Sequence, residues 1–162
     1  MMRIFMVVVC SLLAVCSVSA QISRREGTDG QAAIYRLPPF ERAVCCTKFF
    51  EGWHSEKHYP YVGYGHKLLP GERYSARTMT KRQADALLRK DLRKFCAMFR
   101  KFRKDSLLLA TLAYNVGPYR LFGYGKIPKS KLIRKLEAGD RNIYREYIAF
   151  CNYKGKRHAM LL

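Results

Sequence analysis

Apolar and small residues at Ala43, Val44, Thr47 and Phe50 recur at the spacing of one helix face, which predicts a helix from Phe40. Pro38-Pro39 stands before its start and Gly52 is placed to end it. Glu51 lies four residues after Thr47, so it belongs to the buried face or its edge. A second helix is announced by Thr80 and Gln83, a capping-box pair, followed by a stripe at Ala84, Leu87, Leu88, Leu92, Phe95, Phe99 and Phe102. That stripe predicts one helix of about six turns. Asp105 or Ser106 then caps a third helix, Leu107 to Tyr114, apolar on nearly all sides and therefore expected at the centre of the core. Asn115-Val116-Gly117-Pro118 stops it. Ser130 opens a short basic helix ending at Gly139, and Asp140 caps the last, with Ile143, Tyr144, Tyr147, Ile148 and Cys151 on one side.

Between the first two helices the pattern changes. Tyr59, Tyr61, Val62 and Tyr64 favour strands, while Pro60, Gly63 and Gly65 interrupt them, predicting a short bent hairpin. Leu69-Pro70-Gly71-Glu72 is a turn. The expected whole is mostly helical with one small sheet, an α+β chain without internal repeats.

The two ends read differently. Arg3, the apolar run Ile4–Val15 and the small residues Val18-Ser19-Ala20 form the pattern of a signal peptide over 1–20, which implies export to the periplasm or beyond. The apolar run is shorter than the ~20 residues that span a bilayer. Residues 21–37 read as a flexible lead-in, and 38–162 as one domain, a size that supports a single core. Cys45, Cys46, Cys96 and Cys151 follow the leader; bridges and buried thiols both fit them.

Charge adds a partner class. The chain carries a formal +19, with cations scattered rather than gathered in a tail, which favours polyanions. Export points to anionic cell-envelope polymers, and no nucleic-acid signature accompanies the charge, so nucleic acid is not expected. A monomer is expected. No cofactor is implied. His54 and His58 have the spacing of a metal pair only on a helix, which Pro60 and the tyrosine-rich strand pattern oppose, so no metal site is expected.

With only twelve carboxylates, elimination finds a candidate acid. Glu26 and Asp29 lie in the lead-in, Asp105 and Asp140 look like caps, Glu41 suits a helix N-terminus, and Glu72, Asp85, Asp91, Glu137 and Glu146 occupy turns or polar faces. Glu51 differs. It stands at a helix C-terminus, where the dipole disfavours negative charge, beside Phe49, Phe50 and Trp53. Both effects raise a carboxyl pKa, as a glycosidic proton donor requires. Trp53, Tyr59, Tyr61 and Tyr64 offer rings that stack on sugars, or that fill a hairpin core.

Glu51-Gly52, the Tyr59 region, Gly63-Tyr64-Gly65-His66, Ala113-Tyr114-Asn115-Val116-Gly117 and Ala138-Gly139-Asp140 occur in an order that resembles the phage-type lysozymes, glycoside hydrolase family 24. The resemblance covers roughly Phe40 to Tyr153. It implies a lysozyme-like α+β fold, with a cleft between a hairpin lobe and a helical lobe, and cleavage of the β-1,4 bond between N-acetylmuramic acid and N-acetylglucosamine in peptidoglycan. By position Glu51 matches the family's general acid, and Tyr61 falls where a threonine usually stands beside the attacking water. His66 is expected chiefly to bond within the structure; it and Asn115 join Trp53, Tyr59 and Tyr64 as substrate-side candidates. The family's usual aspartate is missing from a loop shortened by about five residues. Glu56 is the nearest acid but sits too early to match it. The family's terminal basic helix is also not matched. One acid without a positioned base also fits a lytic transglycosylase, and the charge alone fits a non-catalytic cationic wall-binding protein.

Overall fold

A computed structural model of the protein describes residues 33–153 and 156–157. The leader over 1–20, residues 21–32 of the lead-in and the side chain of Cys151 lie outside the described residues. The described chain is mostly helical, and it falls into two compact units whose boundary lies between Lys90 and Asp91, within a helix.

The first unit contains helix α1 (Pro39–Glu51), a 3-10 turn (Glu56–His58), strands β1 (Tyr61–Val62) and β2 (His66–Lys67), and the first half of α2 (Lys81–Met98). As the pattern predicts, Ala43, Val44 and Thr47 are buried on one face of α1. The proline pair fixes the start of α1, with Pro39 needing no amide bond at the first helical position. β1 and β2 pair antiparallel, Tyr61 opposite Lys67 and Val62 opposite His66. The turn between them lies against α2, and only glycine fits at Gly63. Its φ is +61°, and a Cβ there would stand 2.8 Å from the Cβ of Ala84.

The capping box at the start of α2 is formed on both arms. The Thr80 N–H donates to Gln83 Oε1 at 2.8 Å, and the Gln83 N–H donates to Thr80 Oγ1 at 3.2 Å. Such a cap contributes about 1 kcal/mol. Ala84, Leu87, Leu88, Leu92 and Phe99 of the expected stripe are buried, while Phe95 and Phe102 are half-buried.

The length of α2 is a correction. The α-helix ends at Met98, and Arg100–Asp105 continues as a 3-10 segment. Arg103 breaks it with φ +48° and ψ −112°, a conformation rare for a residue carrying a Cβ. The apolar pattern survives because a 3-10 turn eclipses positions three apart. Phe99 and Phe102 therefore remain neighbours, 6.4 Å between rings.

The second unit continues with α3 (Ser106–Val116), α4 (Tyr119–Phe122), α5 (Lys131–Glu137), α6 (Tyr144–Ile148) and a 3-10 turn (Ala149–Cys151). Strands β3 (Asn152–Tyr153) and β4 (Lys156–Arg157) pair antiparallel, a second small sheet that the sequence pattern does not announce. Leu109 to Ala113 of α3 are all buried, as expected of a central helix. Phe99 has no exposed surface and stacks on Phe122 at 4.5 Å.

Two expected caps do other work. Asp105 makes no capping bond to α3, because both of its oxygens are taken by the guanidinium of Arg141. Asp140 accepts from the Asn142 N–H at 2.8 Å, closing a turn, and α6 begins only at Tyr144. Ser130 does cap α5, accepting from the Ile133 N–H at 3.2 Å. Cys45, Cys46 and Cys96 are free thiols.

Phe99→Ala is expected to cost about 3–5 kcal/mol, the range for truncating a fully buried aromatic. Equilibrium denaturant unfolding measures it. A loss below about 1 kcal/mol would mean that the site collapses around the deletion.

Candidate active site

Glu51 closes α1. The next backbone groups fasten this helix end to the hairpin: the Gly52 N–H returns to Lys48 O at 3.1 Å, and the His54 N–H reaches Gly63 O at 2.8 Å. Within the hairpin turn, the Gly65 N–H bonds Val62 O at 3.2 Å. These bonds bring Gly65 against the Glu51 carboxylate. Gly65 has φ +92°, and a Cβ added there would lie 3.2 Å from Glu51 Oε2. The hairpin backbone thus covers the acid at a position where any side chain would push it away.

That cover decides the chemistry of the carboxyl. Burial pushes the Glu51 pKa from 4.5 up to about 7. No hydrogen bond or ion pair to another described residue opposes the shift. Removing water destabilises the carboxylate and leaves the neutral acid unaffected. At neutral pH an appreciable fraction of Glu51 therefore holds its proton, as a general acid must.

The nearest cation on the same helix is drawn aside. Lys48 stands one turn before Glu51, a spacing at which opposite charges on a helix pair. Its Nζ is instead bonded to Asp85 and lies 5.2 Å from the centroid of the Tyr64 ring. Asp85 is held in turn by Arg89 at 2.7 Å, and Arg89 grips Glu41 with both arms at 2.6 and 2.8 Å. These partners keep Asp85 below the usual carboxylate range despite its desolvation. The pattern of Lys48 with Glu51 was available in the sequence; its diversion to Asp85 depends on the packing of α1 and α2.

The aromatic candidates surround this end of the unit in different ways. Trp53 is 39% exposed and meets Tyr64 edge to face, 5.6 Å between rings. Tyr61 is equally exposed on β1, 6.1 Å from the His54 ring, and Tyr59 is 79% exposed. His66 is buried on β2. Its Nε2 meets Glu72 Oε2 at 2.8 Å, an oxygen that also accepts from the Leu69 N–H. The His66 hydrogen bond, with that of Leu69, holds Glu72 below the usual carboxylate range. Glu56 is exposed and bonded by Arg77 at 2.7 and 3.3 Å. Asn115 belongs to the second unit, where its amide donates to Thr111 O at 2.9 Å.

His54 has a part that sequence reasoning missed. It is 4% exposed, and its backbone closes the bridge to Gly63. Its Nδ1 has no hydrogen-bond partner among the described residues. Burial and the nearby His58 both lower its pKa, keeping it neutral. The ring centroids of His54 and His58 lie 5.1 Å apart, and His58 Nδ1 accepts from the Ser55 N–H at 2.9 Å. Among the described residues no group of three or more potential ligands could hold a metal ion.

Comparison with known proteins gives one result: the model of the family described as phage lysozyme matches residues 48–162. No curated protein matches the chain, and neither does any solved structure.

Two expectations follow from the cover over Glu51. Gly65→Ala is expected to cost about 1–3 kcal/mol through its positive φ and to displace the carboxyl. Thermal unfolding and the Glu51 carboxyl NMR shift report the two effects; an unchanged shift would mean that Gly65 does not shield the acid. The second concerns pH. Glu51 has a raised folded pKa, so its contribution is fully present below 4.5 and is lost as pH rises through about 7. Glu51→Gln is therefore expected to gain stability over wild type as pH climbs through that window, with the difference smallest on its acidic side. Unfolding curves at the two ends of the window measure it.

Proposed function

Since the chain belongs to the phage lysozyme family, whose members cleave peptidoglycan, we propose that it is a muramidase with Glu51 as its proton donor. The bond cleaved in this reading is the β-1,4 link between N-acetylmuramic acid and N-acetylglucosamine. The observation that carries the assignment is the state of the carboxylates among residues 33–90. Glu41, Glu56, Glu72 and Asp85 are each tied to a cationic or histidine partner. Glu51 alone is desolvated and has no such partner among the described residues.

Glu51 gives its proton to the glycosidic oxygen as the bond from the anomeric carbon to that oxygen breaks. The positive charge that develops on the sugar is then quenched by an oxygen nucleophile, which loses its own proton. In hydrolysis that nucleophile is water. Tyr61, exposed on the strand beside this end of α1, is the proposed orienting group for it, while Trp53, Tyr59 and Tyr64 offer faces for the sugar rings. His66, buried and bonded to Glu72, supports the hairpin from behind. The basic surface adds attraction to anionic wall polymers, and the substrate itself is the only partner the reaction needs.

A second reading is favoured by one specific fact. Glu56, the acid nearest the place of the family's aspartate, is engaged by Arg77, so Glu51 has no free carboxylate companion among residues 33–90. A lytic transglycosylase needs one acid only. The 6-hydroxyl of the muramic acid attacks its own anomeric carbon, Glu51 takes the hydroxyl proton, and an anhydro sugar results in place of a hydrolysed end.

Mass spectrometry of the muropeptides released from purified peptidoglycan separates the readings. Reducing ends are expected of hydrolysis, and products lighter by one water of the alternative. Glu51→Gln is expected to abolish release by at least about 100-fold. The wild-type rate is expected to fall as pH rises through about 7, as the acid loses its proton. Release that survives Glu51→Gln would remove Glu51 from the reaction, and no release from either protein would leave charge-driven wall binding.

A further inference from the structure

Beyond the acid and its surroundings, one cavity of the second unit has a composition of its own. It measures about 500 Å3 and is formed where the 3-10 segment after α2 meets the turn after α5. Its polar lining consists of Lys101, Arg103, Lys104, Asp105 and Arg141, with Phe102 as an apolar wall. Four cations thus converge on one hollow against a single carboxylate, from segments about 36 positions apart in the chain.

The carboxylate does not cancel this field. Asp105 is buried, and both of its oxygens are occupied by the two arms of Arg141. The effect is to hold the half-exposed Arg141 in a fixed orientation, which lowers the entropic cost of its next hydrogen bond. Lys101 is paired with Glu137 at 2.6 Å, but Glu137 is shared with Lys129 at 2.9 Å, so one carboxylate divides between two ammonium groups. An exposed pair of this kind is weak and exchangeable. Arg103 and Lys104 are exposed and have no ion-pair partner among the described residues. Arg103 is also the one non-glycine residue with positive φ among the described residues. Its strained backbone forms the rim of this cavity, and strain of that kind gathers at ligand clamps.

We propose that this cavity binds a phosphate ester carried on a sugar or polyol. A doubly charged tetrahedral anion presents several acceptors at once, which suits two guanidinium groups and two ammonium groups arriving from different directions. The volume exceeds what a bare phosphate fills, and it lies in the range of small-ligand sites. Phe102, whose ring also lies 4.9 Å from the Lys101 ammonium, is the aromatic wall against which the carbon skeleton would lie. All the residues that line it belong to the second unit, and the proposal does not depend on what Glu51 does.

The test uses the full chain and glucosamine 6-phosphate as probe, with inorganic phosphate and glucosamine alongside, in a titration followed by amide NMR. Saturable shifts confined to Lys101–Asp105 and Gly139–Arg141 are expected with the sugar phosphate, weaker ones with phosphate, and none with glucosamine. Arg103→Gly is the informative variant, because glycine accepts the positive φ while the guanidinium is lost. It is expected to be at least as stable as wild type and to bind about tenfold more weakly; Lys104→Ala is expected to weaken binding similarly. Glu51→Gln is expected to bind as wild type does. Unchanged affinity in both cavity variants would overturn the site. Inorganic phosphate binding as tightly as the sugar phosphate would overturn the ester, and shifts spread over the whole basic surface would reduce the effect to general charge.

Discussion

The constraint on which the first unit depends is the closeness of the Gly65 backbone to the Glu51 carboxyl. A carboxylate can be stabilised by water, by a cation or by amide donors, and this contact reduces the first at the half-buried Glu51 without supplying the others. The neighbouring structure serves the contact. The Gly52 and His54 amides determine where the chain leaves α1, and Val62 fixes the turn from the far side. Ala84, the smallest side chain with a Cβ, lets that turn lie on α2 at Gly63.

A chain with a formal charge of +19 would ordinarily pull every carboxylate below its usual range. Four of the five acids among residues 33–90 have a cationic or histidine partner, with Arg89, Arg77, His66 and Lys48 in that part. The exception is Glu51, and the cation one turn before it on the same helix, Lys48, has a stronger claim elsewhere. Asp85 and the face of Tyr64 give Lys48 two stabilising contacts on α2 and the hairpin. The raised pKa of Glu51 comes from its burial, and the pairing of Lys48 with Asp85 leaves that shift unopposed from its own helix.

Much of this was legible in the sequence, for local reasons. The Thr80–Gln83 box, the Ser130 cap, the proline pair and the buried face of α1 are contacts within a few residues, and the sequence states them directly. The direction of the Glu51 shift was legible, but its cause was not: Phe49 and Trp53 are exposed, and the cover comes from the hairpin backbone at Gly65. Asp105 was misread because its partner, Arg141, is remote in sequence, and a two-armed guanidinium–carboxylate pair outweighs a cap. Arg103 could not be anticipated, since nothing in an arginine asks for a positive φ. The second sheet consists of two-residue strands, too short for any alternation to show. The pairing of Lys48 with Asp85 and of Arg89 with Glu41 is likewise a product of how α1 packs on α2 rather than of spacing.

The way in which Glu51 is tuned also decides how it responds to its medium. An acid whose pKa is held by a nearby charge drifts with ionic strength, because counterions screen that charge over about 10 Å at 0.1 M salt. Desolvation depends on salt far less, since it reflects lost water rather than a charge that counterions screen. A chain with a formal charge of +19 gathers a dense and variable cloud of counterions around itself. Burial makes the acidity of Glu51 less sensitive to that cloud than an ion pair would, so the charge of the surface and the state of this acid are set separately.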